Sequence, residues 1–104
     1  MENMLLLDIT TFDPENILEL FKRWEHVESL DYSKGLKVVY QLFDAGGGRV
    51  ITLYEVETVK DYMTHNLPFT DLCQIEVFPV VESSEFKRFA SRYMTQLNAE
   101  GTSP

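Results

Sequence analysis

Five polar side chains fall within strand-like runs: Asp8, Gln41, Thr52, Tyr54 and Glu76. Strict alternation along each run turns all five toward the same side as Leu6, Val39, Phe43, Val50 and Phe78. An apolar surface carrying a few convergent polar groups is the make-up of a small-molecule cavity. Asp8 and Glu76 are expected on neighbouring strands, where two carboxylates enclosed together push at least one pKa upward, as general acid or base work requires. His65, near the end of a short helix, is the third catalytic candidate. The competing reading has these groups solvated at the openings of a barrel or hydrogen-bonded across a dimer, since structural networks shift pKa values too.

Other chemistry-bearing residues read more plainly. Gly46, Gly47 and Gly48 do not form a phosphate cradle: they join two strand-like runs, with no helix start and no Lys-Ser or Lys-Thr pair behind them. Their predicted role is to reverse a hairpin, with at least one of them at positive φ. His26 has Lys22 and Leu30 four residues to either side, so it lacks a zinc-binding helical partner and reads as a surface histidine. Cys73 stands alone, which excludes an internal disulfide framework and a multi-cysteine metal site. It reads as a small buried apolar residue in a reducing, cytoplasmic compartment. Trp24 lies on an apolar helical stripe and reads as core. No metal-ligand set and no cofactor-binding motif emerges.

Composition narrows the partners. Nine Lys and Arg against 17 Asp and Glu give a formal charge of -8, which repels phosphate backbones over the whole surface and argues against nucleic acid. The central strands also lack the stacking aromatics and basic residues of a four-stranded RNA-binding module. The apolar run from Met4 to Leu7 is far too short for a membrane span or a signal segment. A chain of 104 residues with 44% hydrophobic and 25% charged residues fits one globular domain, which buries roughly two-thirds of its unfolded surface.

The elements that must position these residues follow from periodicity. Residues 4–10 alternate Leu5, Leu7 and Ile9 against Leu6, Asp8 and Thr10, a strand with one wholly apolar face and one mixed face. Asp13-Pro14 opens a helix with the stripe Ile17, Leu20, Phe21, Trp24 and Val27. Residues 36–43 and 50–56 form the hairpin arms, and a shorter helix starts at a Thr58/Asp61 capping pair and ends near Asn66. Residues 73–81 form a fourth strand, which Pro79 assigns to a sheet edge. Ser83 or Ser84 then caps a last helix with the stripe Phe86, Phe89, Ala90, Tyr93, Met94 and Leu97. The domain is expected to occupy residues 1–97, with 98–104 a frayed tail.

The order βαββαβ plus a C-terminal helix predicts an α+β, ferredoxin-like fold: a four-stranded antiparallel sheet with both crossover helices on one face. The other face, expected to carry the polar set above, needs a cover. Half a dozen large side chains left in water would forfeit on the order of 10 kcal/mol, comparable to the stability of a whole domain. A second copy, sheet against sheet, is the expected cover, and the last helix folding over its own sheet is the competing one.

The run Phe43-Asp44-Ala45-Gly46-Gly47-Gly48-Arg49, the strand end Tyr54-Glu55 and the stretch from Asp71 to Val80 resemble the uncharacterised DUF3303 family of the dimeric α/β-barrel superfamily. That resemblance covers most of the chain and implies a ferredoxin-like fold and a homodimer, a dimeric α/β barrel, but no reaction. His65-Asn66 is also similar to the position where heme-degrading monooxygenases of this superfamily place a histidine. Those enzymes pair it with an asparagine on the first strand and a tryptophan on the third, where this chain has Asp8 and Tyr54, so the similarity does not carry heme chemistry. A regulatory amino-acid-binding module has the same element order, but its glycine turn after the first strand is absent from Thr10–Pro14. The resulting expectation is a homodimer binding a small, partly apolar molecule between facing sheets through Asp8, Gln41, Thr52, Tyr54 and Glu76. Its alternatives are a cofactor-independent oxygenase or isomerase using His65, Asp8 and Glu76, and a structural dimer with a filled barrel.

Overall fold

The computed structural model describes residues 3–29 and 34–101. Four strands, β1 (Met4–Phe12), β2 (Leu36–Phe43), β3 (Arg49–Val56) and β4 (Cys73–Val80), form one sheet in the order β2-β3-β1-β4. All pairings are antiparallel. Helices α1 (Ile17–Ser29) and α2 (Val59–Asn66) are the crossovers, and α3 (Ser83–Gly101) follows β4. This is the predicted ferredoxin-like arrangement, with Pro79 on an edge strand whose outer side needs no amide donor.

Local chemistry explains the element starts. The Asp13 carboxylate accepts from the Glu15 amide at 3.0 Å, and Pro14 opens a 3-10 turn, Pro14–Asn16, that leads into α1. Thr58 and Asp61 form a reciprocal capping box at the start of α2. Gly35 is drawn against it: a Cβ there would lie 2.5 Å from the Asp61 carboxylate. In the hairpin, Gly47 and Gly48 have φ of 86° and 91°, a region that only glycine enters without strain. Asp44 holds this turn by accepting from the Gly46 amide at 2.9 Å and from Arg49 Nε at 3.0 Å, and both contacts keep its carboxyl below the usual range.

Two expectations about the sheet change. Under α1 and α2 lies the mixed face, so Leu6, Asp8, Val50, Thr52 and Tyr54 are buried beneath the helices rather than turned away from them. The wholly apolar face, with Leu5, Leu7 and Ile9 of β1 beside Ile51 and Leu53 of β3, is the one the crossover helices leave uncovered. β2 also departs from strict alternation. A bulge between Val38 and Tyr40 puts Val38 opposite Tyr54 and Gln41 opposite Thr52. Phe43, opposite Val50, thus shares the helix-covered side, whereas Tyr40 and Leu42 join the uncovered one.

The core has two parts. Phe12, Leu20, Val27, Val50 and Phe69 pack with Trp24, Cys73 and Ile75 at one end, and Leu6, Tyr54, Val56 and Tyr62 pack with Leu36 at the other. α3 stands apart, making no extended contact with another element among the described residues. It does not fold over its own sheet, and the radius of gyration is accordingly 18.4 Å, against about 13 Å for a compact chain of this length. α3 also runs on through Gly101, past the point where lost periodicity predicted a frayed tail from Asn98; residues 102–104 lie outside the described residues.

Candidate functional site

β1 and β3 place Asp8, Thr10, Thr52 and Tyr54 side by side on the helix-covered face, because Asp8 pairs with Thr52 and Thr10 with Val50 in register. α2 presents Tyr62, His65 and Asn66 to the same spot, since residues three and four apart share a helix face. The 3-10 turn Leu67–Phe69 then adds Phe69, and α1 adds Leu20 and Trp24. Between them the wall encloses a cavity of about 30 Å³, room for about two water molecules. Its apolar lining is Leu20, Trp24, Val50, Phe69, Cys73 and Ile75, and its polar lining is Thr10, Thr52, Tyr54, His65 and Asn66.

The polar groups form two linked sets. In the first, Asp8, 1% exposed, accepts from Thr10 Oγ1 and from the Tyr62 hydroxyl, each at 2.5 Å. Asn66 Nδ2 in turn donates to the Tyr62 oxygen. No cation neutralises the carboxylate within these contacts; two hydroxyl donors stabilise it instead. In the second, the Tyr54 hydroxyl lies 3.3 Å from His65 Nε2, and Gln41 Nε2 donates to Thr52 Oγ1 at 3.1 Å. Aromatic edges join the sets: Tyr54 meets Tyr62 and His65 in T-shaped contacts at 5.8 and 5.4 Å.

Burial sets the protonation states. Desolvation pushes the Tyr54 and Tyr62 hydroxyls well above the ordinary tyrosine range, and the Asp8 charge adds to both. Desolvation lowers His65, outweighing the nearby Asp8 and Glu28 charges that act the other way. His65 is therefore neutral near pH 7, and its Nε2 meets the Tyr54 hydroxyl as donor or as acceptor according to the ring tautomer. Burial likewise raises the Cys73 thiol, which lines the cavity as a small apolar group.

The expected residues are thus divided. Thr52, Tyr54 and His65 line the cavity; Asp8 reaches it through Thr10 and through Tyr62 and Asn66, and Gln41 through Thr52. Glu76 pairs with Ile9 on the opposite face and is exposed, so it shares no enclosure with Asp8. A two-carboxylate acid/base pair is absent for that reason. Asn66 and Trp24 were not expected here, although Asn66 follows Tyr62 at i+4 and Trp24 follows Leu20 at i+4, spacings that put each beside a residue facing the sheet. Among the described residues, no group of three or more His, Cys, Asp or Glu is placed to hold a metal ion. No helix among them is long and apolar enough to cross a membrane.

Comparison with known proteins locates this fold. The profile of a domain of unknown function, DUF3303, matches residues 4–94. No curated protein matches the sequence. A Bacteroides thetaiotaomicron structure described as a candidate antibiotic biosynthesis monooxygenase superposes with a TM-score of 0.60 at 19% identity, covering 79% of this chain and 90% of its own. Rv0793 from Mycobacterium tuberculosis superposes with a TM-score of 0.52 at 12% identity, covering 79% of this chain and 99% of its own. At these identities the likeness is one of fold.

Proposed function

We propose, for a chain that belongs to the DUF3303 family, that the cavity between the helices and the sheet receives the polar end of a small, partly apolar molecule. The wall composition carries this reading: apolar side chains surround one neutral imidazole, one phenol and one carboxamide, all converging on the same space. His65 Nε2 and the Tyr54 hydroxyl can each trade their mutual hydrogen bond for one to a ligand hydroxyl or carbonyl. The remainder of the ligand lies where Trp24 now closes the wall, a ring held by its Nε1 bond to Glu28 at 2.7 Å and only half-buried. Of the residues expected to bind, Thr52 and Tyr54 would touch the ligand, with Gln41 holding Thr52 and Asp8 holding Thr10 and Tyr62 behind them.

The working unit in this reading is a homodimer with its uncovered sheet faces paired as a barrel. A face made of Leu5, Leu7, Ile9, Ile51 and Leu53 has no solvent-side role in a single chain. A single cysteine, Cys73, with which no internal disulfide can form, agrees with a cytoplasmic setting.

The neutral, buried His65 favours a second reading, a cofactor-independent enzyme. A base poised in an apolar cavity could take a proton from an acidic ligand O–H or C–H, with the Tyr54 hydroxyl hydrogen-bonding the anion left behind. That step is common to isomerases and to oxygenases that pass the anion to dioxygen. The fold shared with the Bacteroides protein is in keeping with it.

Titration with phenol, p-cresol and catechol tests the binding reading, because Trp24 is the only tryptophan and lines the site. A saturable change in its emission and a rise in melting temperature are expected, weakened in Tyr54→Phe and His65→Ala. No response to any of the three up to about 10 mM, where even a millimolar site would be mostly filled, would exclude this ligand class. For a ligand that binds, His65→Ala separates the two readings: an enzyme loses turnover while still binding, and a carrier changes only in affinity.

A further inference from the structure

α3 carries five large apolar residues on one stripe, Phe86, Phe89, Tyr93, Met94 and Leu97, between 42% and 66% exposed. Phe89 and Tyr93 already stack, 6.3 Å apart and 8° from parallel. A helix with a regular apolar stripe and no partner is not stable on propensity alone, so its stripe needs a surface to pack on. Its own sheet is not that surface in the structure.

We propose that α3 is an exchanged arm: in the homodimer it crosses to the second copy and lays its stripe on the rim of that copy's uncovered sheet, reciprocally. Continuity favours this occupant. The last residue of β4, Val80, sits opposite Leu5 on the uncovered face, and only Val81 and Glu82 separate it from α3, so the arm springs from the edge of the face that needs a partner. Length agrees: 19 residues of helix span about 28 Å, and the eight-residue strands β2, β3 and β4 span about 27 Å.

Area agrees as well. On the uncovered face Tyr40, Leu42 and Phe78 are 62%, 50% and 39% exposed. With roughly 200 Å² available on each aromatic side chain, the stripe and this face offer on the order of 800 Å² per copy, the size of a standard stable interface. The arm rests on the paired-sheet dimer proposed above, and the test separates the two.

Sedimentation equilibrium of the full chain at tens of micromolar is the measurement. The wild type is expected as a dimer, and Phe89→Glu with Tyr93→Glu is expected to weaken dimerisation by at least about tenfold. Trp24 emission should stay unchanged in that variant, because the substitutions lie outside the core, and circular dichroism should lose no more than the helical signal of α3, now without its surface. Arg88→Glu with Arg92→Glu, on the opposite side of α3, should leave the dimer intact; monomer formation there would overturn the stripe as the contact. If the stripe variant dimerised as tightly as wild type while Tyr40→Glu gave monomer, the arm would be wrong and the paired sheets right. A wild-type monomer would overturn both. A monomer whose radius of gyration by X-ray scattering fell to about 13 Å would show α3 folded over its own sheet.

Discussion

The Tyr62 hydroxyl donates to the Asp8 carboxylate at 2.5 Å across 54 residues of chain, tying α2 to the middle of the central strand directly behind the cavity. A buried carboxylate and a buried phenol are each costly alone, and each removes the other's cost only while the helix stays seated. The bond therefore couples the stability of the fold to the shape of the site.

Removing either partner should be costly and removing both much less so. Asp8→Asn leaves one oxygen to serve two hydroxyl donors, and Tyr62→Phe leaves a buried charge one donor short; each is expected to lose about 1–3 kcal/mol. In urea denaturation the double variant should lose less than the sum of the singles, by about 1 kcal/mol or more. Strict additivity would mean that the two groups do not act as a unit.

His65 should make the protein sensitive to mild acid. Its pKa is held below the ordinary 6.5 in the folded chain, so the unfolded chain binds the proton first as pH falls. The stability contributed by neutral His65 is complete above about pH 6.5 and is lost as pH drops through the lower folded value. Melting temperatures of wild type and His65→Gln, measured side by side from pH 7.5 to 5, should show wild type losing more over that window. Parallel curves would mean that His65 titrates freely.

Three glycines should not tolerate a side chain, for two different reasons. Gly47→Val and Gly48→Val force a β-branched residue to positive φ, at roughly 1 kcal/mol or more, and at Gly48 the new Cβ also meets the Phe12 carbonyl at 3.3 Å. Gly35→Ala pushes on the Asp61 carboxylate and should disturb the capping box, at about 1 kcal/mol. Gly46→Val, at a position with no positive φ and with only the Asp44 side chain near the new Cβ, at 3.3 Å, should cost less than either of the other two valines. Unchanged melting temperatures across the first three would refute both reasons.

Element types and order were legible because each rests on a local signal. Pro14 after Asp13, the Thr58/Asp61 pair and the apolar spacing of α1 and α3 act within a turn or two of chain, so neighbouring residues suffice to specify them. Pro79 even indicated an edge strand, since a missing amide matters wherever the strand pairs. His65 and Tyr54 could be named as candidates because few residue types titrate or donate in an apolar setting, but their 3.3 Å approach could not be derived, as it depends on how α2 docks.

Which side of the sheet faced the helices was not a local matter. A period of two divides β1 into Leu5, Leu7, Ile9 and Leu6, Asp8, Thr10, but the division is symmetric and does not say which set goes under the helices. The expectation that polar groups would lie on the far face failed because Tyr62 of α2, itself held by Asn66, adds to Thr10 the second hydroxyl donor that makes Asp8 tolerable inside. The β2 bulge at Val39 then reversed the faces of half a strand, and Glu76 fell on the side opposite Asp8. The sequence alone determined which residues alternate and which turns they enter; only the tertiary structure decided which face is inside, because burial of a charged group is permitted by donors that arrive from distant segments.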